Sequence, residues 1–402
     1  MDQLSGQVRG VTSHHKPEGD TVKESSTSLT ITCHCGAHRQ SLQLRLIESE
    51  GGMKPVIEFC DCESCRHISG TLVVSYLTVL RPRITDGLRC FDCVCANGPE
   101  ASRRWFCAIC GCHLFKQTYK TFGTSESTTD RIHQAFEGNE CQWSVATGSI
   151  IDSPPESQVI SATPTRSYAN DGGLLNDLQG HCACGQLQLR VCQASQSDLE
   201  GDRAPWSPYA DLLEPFARTP NSVLANPDNE KWWIRTASGR FRYLAGTCAC
   251  RSCRLITGFE IQTWAFIPRK NIFICLNLPT GQEWHELDAN QLGGGIGSGV
   301  SLVSQYESSR DVFRHFCSRC GATAFWRNLE RPDLIDVSAG LFDPKGGGAL
   351  AETHLEWWRK RVSFIEDSKN GRDGWIARWA QTITTNLQEG LGKEHESLMS
   401  LE

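Results

Sequence analysis

Apolar and polar residues alternate in short runs through most of the chain. "SLTITCHCG" (28–36), "SLQLRLIES" (41–49), "TLVVSYLTVL" (71–80), "QLQLRV" (186–191) and, in part, "FEIQTWAFI" (259–267) carry it. A period of two is the signature of a strand with one face buried. Helical periodicity is weak before residue 355. Beyond it, "HLEWWRKRV" (354–362) and "GWIARWAQTITTNL" (374–387) belong to a tail read as a candidate helical segment. Its four tryptophans are expected to pack over a core, with closing a pocket as the other role open to them. The pattern predicts a mainly β protein.

Cysteines punctuate these strands in a repeated order. Cys33-x-Cys35, Cys60-x-Cys62-x-x-Cys65 and Cys107-x-x-Cys110 fill the first half. Cys182-x-Cys184, Cys248-x-Cys250-x-x-Cys253 and Cys317-x-x-Cys320 fill the second. Order and internal spacing are the same, the mark of an internal repeat. Cys35, Cys110, Cys184 and Cys320 are each followed by glycine; Cys65 and Cys253 are each followed by arginine, Arg66 and Arg254, with Gly70 and Gly258 further on. "ATGSIID" (146–152) and "SAGLFD" (338–343) close the two copies.

The repeat divides the chain. Residues 1–27 read as disordered, 28–152 as the first domain, and 153–176 as a Pro/Ser/Thr-rich linker. Residues 177–345 read as the second domain and 346–402 as the tail. The second copy is longer, with an insertion at about 193–240 rich in Pro, Asp, Asn and Ser, and a glycine-rich stretch at 291–300. Both are expected on surface loops.

Composition sets the chemistry. Of 402 residues, 39% are hydrophobic and 21% charged, which suits a globular core. A net charge of −6 argues against a nucleic-acid-binding surface. The first residues lack the apolar core of a secretory signal, and no apolar run is long enough to span a membrane. The expected compartment is the cytosol, with the nucleus also open. Thiols stay reduced there, so 21 cysteines read as metal ligands rather than as a disulfide framework.

Each glycine-followed pair reads as a tight turn aiming two sulfurs at one point, the glycine taking positive φ. Two pairs make a closed tetrahedral site. Cys33 and Cys35 are matched with Cys107 and Cys110, and Cys182 and Cys184 with Cys317 and Cys320, stapling the start of each copy to its end. The triplets remain. Three ligands and an open position is the build of a catalytic zinc site. Two other readings stand beside it: closure by a fourth ligand (His67, His113 or Cys112 in the first copy, His285 or His315 in the second), or metal-free redox thiols. Cys90, Cys93 and Cys95 lie outside the pattern and read as incidental thiols or a further metal or redox site; Cys112, Cys141, Cys192 and Cys275 read as core or incidental.

At "CHCGAHRQSLQL", "CDCESCRHISG" and "WFCAICGCHLF", and again at "CACGQLQL", "CACRSCRLITG" and "HFCSRCGATAFW", the chain resembles the glutathione-dependent formaldehyde-activating enzyme family, which includes centromere protein V. The resemblance spans both copies, whereas members of that family usually carry one domain. It implies two tandem β-tent domains. Each would hold a structural four-cysteine zinc and a catalytic three-cysteine zinc, about four Zn2+ per chain. It implies a carbon–sulfur lyase of the S-(hydroxymethyl)glutathione synthase type, with glutathione or another small thiol and a small aldehyde or other electrophile as partners. Arg66 and Arg254 could then face the glutathione carboxylates, or sit as surface arginines. The competing functions are a non-catalytic zinc scaffold associated with chromatin or cytoskeleton, and a thiol sensor without turnover.

Overall fold

Alternation becomes strand pairing in the order in which the chain writes it. In Ser28–Thr32, Leu29 and Ile31 turn inward while Ser28 is exposed. Its partner Arg39–Gln43 buries Leu42 in the same way. The computed structural model describes residues 28–49, 52–94, 100–120, 141–154, 160–162, 177–200, 209–237, 239–278, 281–288, 303–343 and 348–399. Residues 1–27, most of the expected linker, Cys95 and the glycine-rich 291–300 lie outside them. The described chain is mainly β, built from several antiparallel sheets, and none of its helices is long and apolar enough to cross a membrane.

The two halves arrange their strands identically. The large sheet of the first half runs Ile160–Ala162, Val56–Cys60, Val74–Val79, Cys141–Ala146, His113–Lys120, Glu100–Cys107, Leu88–Val94. That of the second runs Leu355–Trp357, Arg240–Cys248, Gln262–Pro268, Leu334–Ser338, Thr323–Asn328, Val312–Cys317, Val303–Ser309, with Ile234–Ala237 added on Arg240–Cys248. In both, the first-named strand is the only parallel partner along this order. A smaller sheet faces each large one: Ile150–Asp152, Ser28–Thr32 and Arg39–Gln43 in the first half. Its counterpart is Phe342–Asp343, Leu178–His181 and Gln188–Val191, extended by Ile272–Leu278 and Gly281–Glu286. The core of each half lies between its two sheets, around Leu29, Ile57, Phe115 and Val145 in one and Leu189, Ile267, Phe325 and Val337 in the other.

Each triplet ends a strand and starts a short helix, α1 (Glu63–Ser69) in the first half and α2 (Arg251–Thr257) in the second. Gly70 and Gly258 stop these helices in the left-handed region (φ 80° and 85°), donating back to the carbonyls of Arg66 and Arg254. The same glycines join the halves. Gly340 N–H donates to Gly70 O (3.1 Å) and Gly148 N–H to Gly258 O (2.8 Å), an exchange that maps one half onto the other. Phe106 lies against Gly321 and Phe316 against Gly111 in the same sense.

The tail serves both halves. The expected helix is only its last part: Leu355–Trp357 is instead a strand, drawn into pairing with Arg240–Cys248, while α3 (Trp375–Met399) sets Trp375 and Ile376 into the first-half core. Between them, Arg372 is buried against Glu260 through two bonds (2.7 and 2.9 Å) and caps the carbonyls of Ile150 and Thr147. The tryptophans therefore pack over cores, as expected. The insertion does more than loop across the surface: Trp232 is wholly buried, and Asp211 is pinned by Arg361 (2.9 Å) and by the N–H of Phe364 (2.7 Å).

Two stability measurements follow. An added Cβ at Gly70 meets the carbonyl of Thr323 in the other half, whereas one at Gly239 (φ 72°) meets nothing. In urea unfolding Gly70→Ala should cost about 3 kcal/mol, from the left-handed penalty and overpacking together, against about 1 for Gly239→Ala. Arg372→Ala strands a buried carboxylate and should cost about 3–5 kcal/mol, most of it recovered in an Arg372→Met, Glu260→Leu double variant.

Candidate metal centres and the cavity beside one of them

The paired cysteines meet. Cys33, Cys35, Cys107 and Cys110 form one group and Cys182, Cys184, Cys317 and Cys320 another, with all sulfurs of a group within 4.8 Å of one another. Measured S···S distances are 3.5 and 3.6 Å in the first and 3.4 and 3.5 Å in the second. A disulfide would need about 2.05 Å, and no described cysteine forms one. Tetrahedral thiolates at about 2.3 Å from a metal stand ~3.8 Å apart. Gly36, Gly111, Gly185 and Gly321 all take positive φ (75°, 80°, 70° and 81°), turning each chain so that its N–H returns to the carbonyl of the first cysteine of its pair.

The triplets form two further groups, Cys60, Cys62, Cys65 and Cys248, Cys250, Cys253. Cys60 and Cys62 are 3.4 Å apart, and Cys250 Sγ accepts the Cys253 N–H at 3.2 Å, capping α2. Among the described residues no fourth His, Cys, Asp or Glu donor joins either group. The candidates for closure are engaged elsewhere. His113 Nε2 is 3.2 Å from Gly321 O, His315 Nε2 is 3.2 Å from Gln305 Oε1, and Cys112 Sγ donates to His113 O. His285 sits beside Glu283, and His67 turns to Asp343. Cys90 and Cys93 lie on the strand Leu88–Val94 and join no group.

Two arginines that the sequence reading passed over touch the triplets. Arg104 donates to Cys65 Sγ (3.0 Å) and Tyr76 Oη (2.6 Å). Arg314 donates to Cys253 Sγ (3.3 Å) and Ser252 Oγ (3.1 Å). Both are buried and both stand three residues ahead of the closing pair, as R-x-F-C, a signal readable in both copies. Hydrogen bonds from sister thiols, and then the guanidinium charge, hold the Cys65 and Cys253 thiols well below the ordinary value against the effect of burial. Arg66 and Arg254 have a different place from either one expected. They are buried between the halves, Arg66 donating to Phe342 O (3.3 Å) and Arg254 to Gly148 O (2.6 Å), because their helices run into the interface. His34, between Cys33 and Cys35, reaches across to Ser252 Oγ (3.3 Å), and burial drops its pKa to about 4.

A cavity of about 460 Å3 opens beside the second triplet. Cys248, Cys250, Cys253 and Arg314 line one side, Trp264, Phe266 and Trp326 another. The insertion closes it with Tyr209 and Phe216, and the tail with Phe364. Arg331 and Asp336 (3.0 Å) line it as well, and burial pushes the Asp336 carboxyl up to about 6. By strand register the first half has Tyr76, Thr78, Lys116 and Ser144 where the second has Trp264, Phe266, Trp326 and Asp336. No family model, curated protein or solved structure matches the chain.

The Arg314 contact yields a directional prediction. Without its charge the Cys253 proton competes better with a bound metal. On lowering pH, Arg314→Gln should therefore release one metal equivalent at higher pH than wild type, read with a colorimetric chelator, while the other equivalents leave as before.

Proposed function

We propose that the chain is a zinc-dependent enzyme that forms or cleaves a carbon–sulfur bond between a thiol and an electrophile, its two halves being β-tent domains stapled by four-cysteine zincs. The observation that carries this reading is the triplet Cys248, Cys250 and Cys253, which has no fourth protein donor among the described residues and borders a cavity. Soft thiolate sets of this spacing favour zinc, and three ligands leave a coordination position for substrate. Zinc held by these three cysteines would act as a soft Lewis acid that lowers the pKa of a ligating thiol.

The surrounding residues divide the remaining work. Arg314 fixes the Cys253 sulfur and holds positive charge beside it. Trp264, Phe266 and Trp326 exclude water and offer apolar faces to the electrophile. That volume and lining suit an electrophile larger than formaldehyde, with an aromatic or other apolar group. When the sulfur attacks a carbonyl carbon, the C=O electron pair moves to oxygen and that oxygen takes a proton. Asp336, raised to about 6 by burial, gives that proton and takes it back on cleavage. Glutathione as the thiol rests on the family resemblance, since Arg66 and Arg254 are spent on backbone carbonyls.

Zinc content and turnover test this together. Wild type should hold four zincs tightly, and Cys253→Ser three, with loss of adduct formation between glutathione and a series of aldehydes graded in size. Trp264→Ala should raise KM for aromatic aldehydes most. The cleavage rate should rise with pH through about 6, where Asp336 becomes able to accept a proton, and Asp336→Asn should flatten that limb. A wild type holding only two zincs, or no adduct with any thiol and aldehyde pair, would leave the scaffold reading in place.

A further inference from the structure

A fifth cluster of donor atoms lies between the halves and contains no sulfur. Glu63 and His67 are one helical turn apart on α1, hence on one face. His181 ends the strand Leu178–His181, and Asp343 lies on the strand paired with it. One donor atom from each of the four falls within 4.8 Å of the others. His67 Nε2 is 3.0 Å from Asp343 Oδ1 and His181 Nε2 is 2.8 Å from Oδ2, so one carboxylate addresses both rings.

The geometry can hold a cation at the centre. His67 is 2% exposed, and its Nε2 is buried and out of line for a hydrogen bond despite its nearness to Asp343. His181 Nδ1 lies 3.0 Å from the carbonyl of Cys182. A carbonyl only accepts, so Nδ1 carries the proton and, in the neutral ring, Nε2 turns a lone pair toward a carboxylate oxygen. A metal ion held between them would take both that lone pair and the carboxylate oxygen. A histidine whose other nitrogen donates to a backbone carbonyl is the usual support for a metal-ligating imidazole.

The internal repeat supplies a control. At the equivalent places around α2 the chain carries Arg251, Leu255, Thr32 and Asp152. Only the aspartate recurs, so the cluster is built once and is no by-product of the repeated pattern. A cavity of about 460 Å3 lined by Gln188 and Trp284 adjoins His181 and Asp343.

We propose that Glu63, His67, His181 and Asp343 bind a divalent transition-metal ion that clamps α1, and with it the first triplet, to the second half. Two imidazoles and two carboxylates suit Zn2+, Co2+ or Ni2+. The site is independent of the proposed enzyme activity and needs no turnover to be seen.

The test is Co2+ titration of the tag-free full chain, its thiolate sites already filled with zinc and loosely held metal removed. One further equivalent should bind, with visible d–d bands but no thiolate-to-cobalt charge transfer, and should raise the unfolding temperature. His181→Ala, at a half-buried position, should weaken that binding at least about tenfold. Asp152→Asn, the repeat-equivalent control, should leave it unchanged, and His67→Gln tests the buried ligand where it folds. Absence of the extra equivalent, a thiolate charge-transfer band accompanying it, or equal binding by His181→Ala would overturn the proposal.

Discussion

Each half of this protein is closed by four sulfurs drawn from opposite ends of its sequence segment. Cys182 and Cys184 leave the first strand of the second half, and Cys317 and Cys320 arrive more than a hundred residues later, yet their sulfurs share one small volume. Bringing such distant residues together costs loop-closure entropy that packing alone must otherwise offset. Four thiols crowded at 3.4–3.6 Å are poor hydrogen-bond partners for one another but a ready set of metal ligands. Left-handed glycines shape the turns that present them, and the strands leading into Cys107 and Cys317 carry Arg104 and Arg314 to the triplets.

The second organising contact is the reciprocal exchange between halves. Helices that start at the triplets end at Gly70 and Gly258, whose carbonyls are taken by Gly340 and Gly148 across the interface. Each triplet is thereby held by its own strand at one end and by the other half at the other. Local identity ends there. Around the second triplet, tryptophan, phenylalanine and a buried aspartate replace the tyrosine, threonine, lysine and serine of the first. The insertion and the tail add a wall beside the second triplet. The halves share a cysteine frame that could hold metal and differ in what they present beside it.

Much of the frame was legible in the chain. Cysteine spacing named the four groups and their pairing, because short C-x-C and C-x-x-C turns leave little freedom in where their sulfurs point. The glycines after them announced positive φ for the same reason. The β character was legible from alternation. What escaped was long-range. Arg66 and Arg254 follow the triplets directly, yet helical geometry carries their side chains into the interface, a place that exists only when two halves meet. Arg104 and Arg314 are far from the triplets in sequence and reach them across the sheet. The insertion looked like loop because its Pro, Asp and Asn content is loop-like; Trp232 and Asp211 tie it down through partners that local pattern cannot name.

The central claim is that the triplets hold metal through three cysteines and keep one position for a ligand from outside the chain. Locating zinc by anomalous scattering in crystals of the zinc-loaded protein tests it most directly. The account predicts zinc at both triplets, each with three cysteine sulfurs and one non-protein ligand. Zinc absent from Cys248, Cys250 and Cys253, or coordinated there by a fourth residue of the chain, would contradict it.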